Sequence, residues 1–335
     1  MFRRIVNPNY MFREDITPRA YRWAEERIPV DNSGLLEQVL REQVAKALAG
    51  GKTALALSGG IDSAILARFM PAGSVAYTFR CVVPGFQVMD EVPAAAQYAE
   101  ACGLEHRVVE ITWEDMERYA PILMRHKGEP IHSIEVQIYK AALQAKKDGF
   151  EALIFGESAD ANFGGHDGLH AKDWETGAFM KRYAYLMPDE ALRKGWRISE
   201  PFDRYAEDGR IDSHAFMCGE YFRESMASYE NACAAAGIRF VAPYAHTTLK
   251  GTLDYQRVRN GESKYLIREI FRRLYPGMAI PAKIPMPRPT EEWFRDWKGP
   301  EREEFLPGCV DGRKGDQKWL LWALERFLNI LDERD

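Results

Sequence analysis

The sequence is poor in cysteine, has no long apolar run and shows no excess of one charge sign. The five cysteines, Cys81, Cys102, Cys218, Cys233 and Cys309, form no CxxC pair. An odd, scattered set of this kind is not a disulfide framework, so a reduced, cytoplasmic setting is expected. No stretch is apolar for long enough to span a bilayer. The first fifteen residues, interrupted by Asn7, Pro8, Asn9 and Glu14, lack the apolar core of a secretory signal. Lysine and arginine number 45 against 50 aspartate and glutamate, a formal net charge of -5. That balance gives no footprint for nucleic acid or an anionic membrane, while one local basic pocket would still serve a small anion. Internal repeats and low-complexity tracts are absent as well.

What is present is an alternation of strand and helix signals. Residues 1–30 are mixed and punctuated by proline, and read as an irregular lead-in. Asp31, Asn32 and Ser33 are helix-capping types, and Leu36, Val39, Leu40 and Val44 follow at helical spacing. Short apolar runs at Thr53 to Leu57, Val75 to Val83, His106 to Ile111 and Ala152 to Phe155 read as strands, with helices between them. Strands alternating with helices predict an α/β fold, a parallel sheet with helices on both faces. That core is expected over residues 31–165. From 166 to 335 long helical patterns dominate, notably Ser263 to Tyr275 and Gln317 to Glu333. A mostly helical C-terminal part is expected there. The aromatic-rich last helix reads as core or as a subunit interface, the latter giving a homodimer.

Between the first strand and the next helix lies Ser58-Gly59-Gly60-Ile61-Asp62-Ser63, preceded by Leu57. Two glycines let backbone approach an anion, and successive N–H groups with a helix N-terminus form a positive concavity. Ser58 and Ser63 add hydroxyl donors. Asp62 would repel phosphate unless it holds Mg²⁺. The loop is neither a Walker A motif nor the dinucleotide GxGxxG fingerprint.

This SGGxDS loop resembles the pyrophosphate-binding loop of ATP pyrophosphatases, which cleave ATP to AMP and pyrophosphate. A second segment, Gly156-Glu157-Ser158-Ala159-Asp160-Ala161-Asn162-Phe163-Gly164-Gly165, resembles the GEGSDExFGG pattern of asparagine synthetases and their β-lactam synthetase relatives. It departs at Ser158, Ala159 and Ala161. The resemblance implies an adenine nucleotide α-hydrolase-like fold, ATP as co-substrate and adenylation of a small carboxylate. In an open parallel sheet the two loops should meet at the topological switch point. Asp62 and Asp160 would then face each other across the triphosphate and share Mg²⁺, because two uncompensated carboxylates repel. The resemblance gives Glu157 a role in handling the acyl-adenylate or the incoming amine, with Gly156 beside the nucleotide. Ser263-Lys264-Tyr265-Leu266-Ile267-Arg268-Glu269 resembles the family's K-x-x-L-R-E helix. In the family a lysine some fifteen residues after that helix stabilises charge developing on the phosphate and the tetrahedral intermediate; by match it is Lys283.

Other residues carry weaker expectations. Thr78 and Arg80 lie on the strand where the family places adenine and ribose, and Arg80 either contacts ATP or ends the strand in solvent. His166 and His170 could suggest a metal pair, but Gly168 argues for a loop, and His166 could line the active-site mouth. Arg239 to Tyr244 resembles a family segment whose continuation is replaced here by Ala245 and His246, near the expected acyl pocket. Glutaminase-bearing members start with a cysteine nucleophile. Here Phe2 follows Met1 and the first cysteine is Cys81, so the resemblance covers only the synthetase half, roughly residues 20–300. The nitrogen is therefore expected from ammonia, a separate glutaminase subunit or an amine. A degenerate nucleotide-binding regulator and a tRNA-modifying pyrophosphatase are the alternatives.

Overall fold

In the computed structural model, the described residues are 18–19, 21, 26–282 and 284–333. Strand β1, Ile28–Val30, lies within the stretch expected to be irregular. Three residues are too few to show a strand period in sequence; their pairing partner is 219 residues away. Helix α1, Ser33–Ala49, begins where Asn32 accepts a hydrogen bond from the Leu35 N–H at 2.9 Å. Then follow β2 (Thr53–Ala56), α2 (Ile61–Ala67), β3 (Val75–Cys81), α3 (Val92–Cys102) and β4 (Glu105–Ile111). The sequence pattern gave no expectation for α4, Trp113–Lys127, which carries Pro121 in its interior. A capping box nevertheless marks its start. Thr112 and Asp115 exchange side-chain and backbone hydrogen bonds. Helix α5, Ser133–Lys147, is capped by His132. Strand β5 is Ala152–Ile154. Farther on come α6 (Phe222–Ala236), β6 (Arg239–Val241), β7 (Thr247–Leu249), α7 (Tyr265–Leu274) and α8 (Gly315–Asp332).

Five strands form one parallel sheet in the order β4-β3-β2-β5-β6. The fifth, β6, comes from beyond residue 165 and extends the four strands expected from sequence. β1 pairs with β7 in a separate parallel ribbon. The α/β architecture expected from the alternation is thus present, with a helix-rich C-terminal region.

Alternation along the strands sorts side chains onto two buried faces. Ala54 and Ala56 point into a core shared with α4, α5, α6 and α8. Their neighbours Leu55 and Leu57 point into a second core shared with α1, α2, α3 and α7. Helix α8 belongs to the first core. Trp319, Trp322 and Phe327 are buried there, and the Trp319 indole donates to the Ile131 carbonyl at 3.0 Å. Within the chain, this aromatic helix is therefore core. Among the described residues no helix is long and apolar enough to cross a membrane.

The strand order reverses between β2 and β5. Consecutive strands run from β2 outward to β4 on one side, then from β5 to β6 on the other. Loops leaving the carboxyl ends of β2 and β5 therefore diverge at one crevice, the place where open α/β sheets bind ligands.

Candidate active site

The loop after β2 is tied by its own serines. Ser63 Oγ accepts from the Ser58 N–H at 3.0 Å and lies 3.0 Å from Ser58 Oγ, which accepts from the Gly60 N–H at 3.2 Å. Gly60 then caps α2 in an extended conformation. Neither Gly59 nor Gly60 has a positive φ. Their value here is close approach, not unusual dihedrals. A Cβ at Gly59 would stand 3.1 Å from the Ala94 Cβ of α3. Thr78, buried on β3, holds the loop's base by donating to the Leu57 carbonyl at 2.6 Å.

The loop after β5 packs directly on this one. A Cβ at Gly156 would meet the Ser63 backbone nitrogen at 3.0 Å and the Asp62 Cβ at 3.1 Å. Ser158 takes a left-handed φ of 74° to start the short helix Ala159–Asn162, and a Cβ at Gly165 would collide with Asp160 Oδ1 at 2.0 Å. Asn162, fully buried, stitches this turn to the segment after β6 by donating to the carbonyls of Tyr244 (3.1 Å) and Thr247 (2.9 Å). Tyr244 in turn donates to the Asp62 carbonyl at 3.1 Å.

Asp62 and Asp160 are brought together as expected, and a residue not singled out from sequence stands between them. The Lys264 ammonium lies 2.7 and 3.0 Å from the two Asp62 carboxylate oxygens and 2.9 Å from Asp160 Oδ1. Lys264 sits just before α7 at φ 53°, a strained conformation for a non-glycine residue. Burial pulls its ammonium toward neutrality, but Asp160 and Asp62 outweigh this and hold it above the usual lysine range. The repulsion invoked from sequence to require a metal is therefore already compensated by an internal cation. Lys264 was visible in the K-x-x-L-R-E helix motif; which lysine faced the carboxylates was not.

The two loops, α3, and the segments at 263–268, 280–282 and 284–286 enclose a cleft of about 250 Å³. Leu57, Ser58, Gly59, Gly60, Asp62, Ser63, Thr78, Gly156, Glu157 and Asp160 all line it. Glu157 accepts from Ser225 Oγ at 2.8 Å and from the Tyr229 hydroxyl, both on α6. Ser225 and Tyr229 stand one helical turn apart and so share a face. Burial pushes the Glu157 carboxyl up, and nearby Asp160 adds to the rise. Lys283 lies outside the described residues. Ile284, Pro285 and Met286 line the cleft, and the next residues are anchored. Gln137 Nε2 donates to the Pro287 carbonyl at 3.2 Å, and Arg288 makes a two-pronged ion pair with Asp316 at 2.9 Å on each prong.

Four other sequence candidates fall elsewhere. Arg80 is not among the cleft-lining residues and pairs with Glu110 on β4. His246 is half-buried beside Lys46 of α1, away from the cleft. His166 packs on Tyr221 with ring centroids 4.6 Å apart, while His170 Nδ1 faces Ser213 Oγ at 2.9 Å. The segment between them is a short helix, Asp167–His170, despite Gly168. Among the described residues no group of three or more histidine, cysteine, aspartate or glutamate side chains is arranged to hold a metal alone. Two carboxylates on one cleft wall do suit Mg²⁺, which commonly takes one or two carboxylates and completes its shell with substrate phosphates.

The asparagine synthase family model matches residues 35–307. No curated protein matches the sequence. Among solved structures, the chain is similar to the NMN synthetase of Francisella tularensis, at 13% identity over 76% of this chain and 100% of that one, with a TM-score of 0.29. It is similar also to the U34-tRNA thiolase NcsA of Methanococcus maripaludis, solved with its [4Fe-4S] cluster, at 13% identity over 75% and 82% of the two chains and a TM-score of 0.30.

Proposed function

The chain belongs to the asparagine synthase family, and from that premise we propose that it is an AMP- and pyrophosphate-forming amide ligase. ATP adenylates a small carboxylate, and a nitrogen nucleophile then displaces AMP. The observation that carries this reading is the seating of the Gly156 turn on the Asp62–Ser63 turn, with Lys264 bridging Asp62 and Asp160. It sets an anion-binding loop, a cation and two carboxylates around one cleft.

Each residue has a task that its surroundings support. The Ser58–Ser63 loop and the N-terminus of α2 receive the pyrophosphate moiety. Asp62 and Asp160 would hold Mg²⁺, which when bound neutralises phosphate charge. Lys264 keeps those two carboxylates together and presents an ammonium to the same phosphates. Glu157, buried and tethered by Ser225 and Tyr229, is suited to take a proton from the attacking nitrogen, because burial raises its basicity. Lys283, by family resemblance, stabilises the charge that develops at the reacting phosphate. Thr78 supports the loop's base rather than reaching the nucleotide with its hydroxyl. The nitrogen comes from ammonia, an amine or a separate glutaminase subunit. Five unpaired cysteines support action in the cytoplasm.

The test is release of AMP and pyrophosphate from ATP with a panel of small carboxylates, with and without ammonium. Acid-dependent formation of both products, lost in Asp160→Asn, is the expected result. ATP binding without release of either product for any acid, amine or ammonium supplied would instead favour a nucleotide-binding regulator.

A further inference from the structure

One buried carboxylate in the cleft has no part in the chemistry above. Glu91 begins α3 and is only 9% exposed. Its carboxyl accepts a hydrogen bond from the Gly59 N–H. That N–H belongs to the loop whose backbone donors receive an anion, so a side-chain carboxylate holds one of the cradle's own donors. The contact is built in. The Ala94 Cβ would be 3.1 Å and the Glu91 Cβ 3.5 Å from a Cβ at Gly59, so the first turn of α3 is pressed against the loop.

The geometry points to Glu91 as an affinity-setting residue of the cradle: a polyphosphate that enters takes over the Gly59 N–H, and Glu91 is neutralised by one proton from solvent. The neutral carboxyl then donates to a phosphate oxygen, where the ionised form would repel it. This rests on the reading of the cleft as a polyphosphate site. Burial chiefly, with a contribution from Asp90, pushes the Glu91 carboxyl up to about 7, while the Gly59 N–H opposes the rise. Asp90 is its charged neighbour on the approach to α3. The same cleft is lined by Asp62 on α2, Glu157 and Asp160 after β5, and Lys264 and Arg268 at α7. Ionised at pH 8 and mostly neutral at pH 6, Glu91 would exchange its proton between those two values.

The experiment measures binding of inorganic pyrophosphate with Mg²⁺ by calorimetry, for the full chain and for Glu91→Gln, at pH 6 and pH 8. Comparing the two proteins at each pH cancels the probe's own titration. Glu91→Gln should bind about tenfold more tightly than wild type at pH 8, the worth of relieving one competing charged hydrogen bond. The advantage should disappear at pH 6. In buffers of different ionisation enthalpy, wild type at pH 8 should take up about one proton more than the variant. Equal or weaker pyrophosphate binding by Glu91→Gln at pH 8 overturns the inference, since a residue that merely props the loop gives that sign. If Glu91→Gln does not fold, Glu91→Asp serves. It keeps the charge but withdraws it from Gly59, so an unchanged affinity at pH 8 overturns the inference equally. Pyrophosphate that binds wild type with no such difference sinks this inference alone. A wild type that binds none at either pH sinks both it and the proposed function.

Discussion

Replacing Lys264 with methionine removes one charge and little volume, and methionine meets the same left-handed strain, so the electrostatic change is isolated. The ammonium is 9% exposed, and its two carboxylate partners are 18% and 30% exposed. Breaking a buried ion pair from one side costs about 3–5 kcal/mol. Partial solvent access to Asp62 and Asp160 places this case near the lower end, about 3 kcal/mol. The ammonium is held above its ordinary value, so in wild type its contribution is complete below the unfolded lysine value, about 10.4, and is lost only as pH rises beyond that. In Lys264→Met the sign changes. Two facing carboxylates remain, and one gains from protonation, so stability should rise on acidification from pH 8 to pH 5 while wild type shows no such gain from this site. Urea unfolding at both values measures this. Adding Asp160→Asn to Lys264→Met should recover at least about 1 kcal/mol, a coupling expected only of interacting neighbours. A loss under about 1 kcal/mol, or additive effects in the double variant, would refute the idea that Lys264 compensates the two aspartates.

Further outcomes follow from the same geometry. Gly156→Ala sets a Cβ against backbone at 3.0 Å, which cannot yield like a side chain. It should cost about 1–3 kcal/mol in stability, and ATP binding measured by calorimetry should weaken by roughly tenfold or more. Arg288→Ala frees the segment that follows Lys283 from Asp316. As the pair is partly exposed, its thermal midpoint should barely move, while kcat/KM falls roughly ten- to hundredfold from misplacement. Glu157→Gln removes a carboxyl whose value burial raises. The wild-type penalty for ionising it appears as pH climbs through that raised value, so the variant should be the more stable at pH 8 and lose its advantage in acid, by the same urea assay. Trp319→Ala should cost about 3–5 kcal/mol by emptying the core around α8, read as a drop in the denaturation midpoint.

The regular part of the fold was legible because its signals are local. Asn32 caps α1 within three residues of chain, and Leu55 and Leu57 alternate with Ala54 and Ala56 along β2 and the residue after it. Features that depend on distant chain were not. Ile28–Val30 is a strand only because Thr247–Leu249 lies beside it, and β6 becomes the fifth strand of the sheet by pairing with β5, 87 positions earlier in the chain. Helix α4 announced itself with the Thr112–Asp115 box, yet Pro121 breaks the pattern that periodicity reads. The helix tolerates it because Met116, Ala120, Leu123 and Met124 are buried in the core that α4 shares with α5, α6 and α8, so tertiary packing outweighs the missing N–H.

The site divides along the same line. Loop residues 58–63 and 156–165 were legible because their glycines answer a close approach that any anion-binding turn needs. What the sequence could not supply was the identity of the counter-charge. From Asp62 and Asp160 alone, repulsion argues only that some cation must intervene, and a divalent ion and an ammonium satisfy that argument equally. The fold supplies the ammonium by bringing Lys264 onto both carboxylates, at the cost of a strained backbone. An ion entering with a triphosphate must then share the two aspartates with an ammonium already seated there. The aspartates can serve both only if phosphate oxygens supply the negative charge that two carboxylates lack. Metal and nucleotide binding at this cleft should therefore be mutually reinforcing: Mg²⁺ alone should bind weakly, ATP alone weakly, and each should tighten the other by the same factor, since coupling between two ligands is reciprocal. Calorimetric titration of each in the presence of the other measures that factor. Tight binding of Mg²⁺ to the nucleotide-free protein would show that Lys264 does not hold the carboxylates as the geometry indicates.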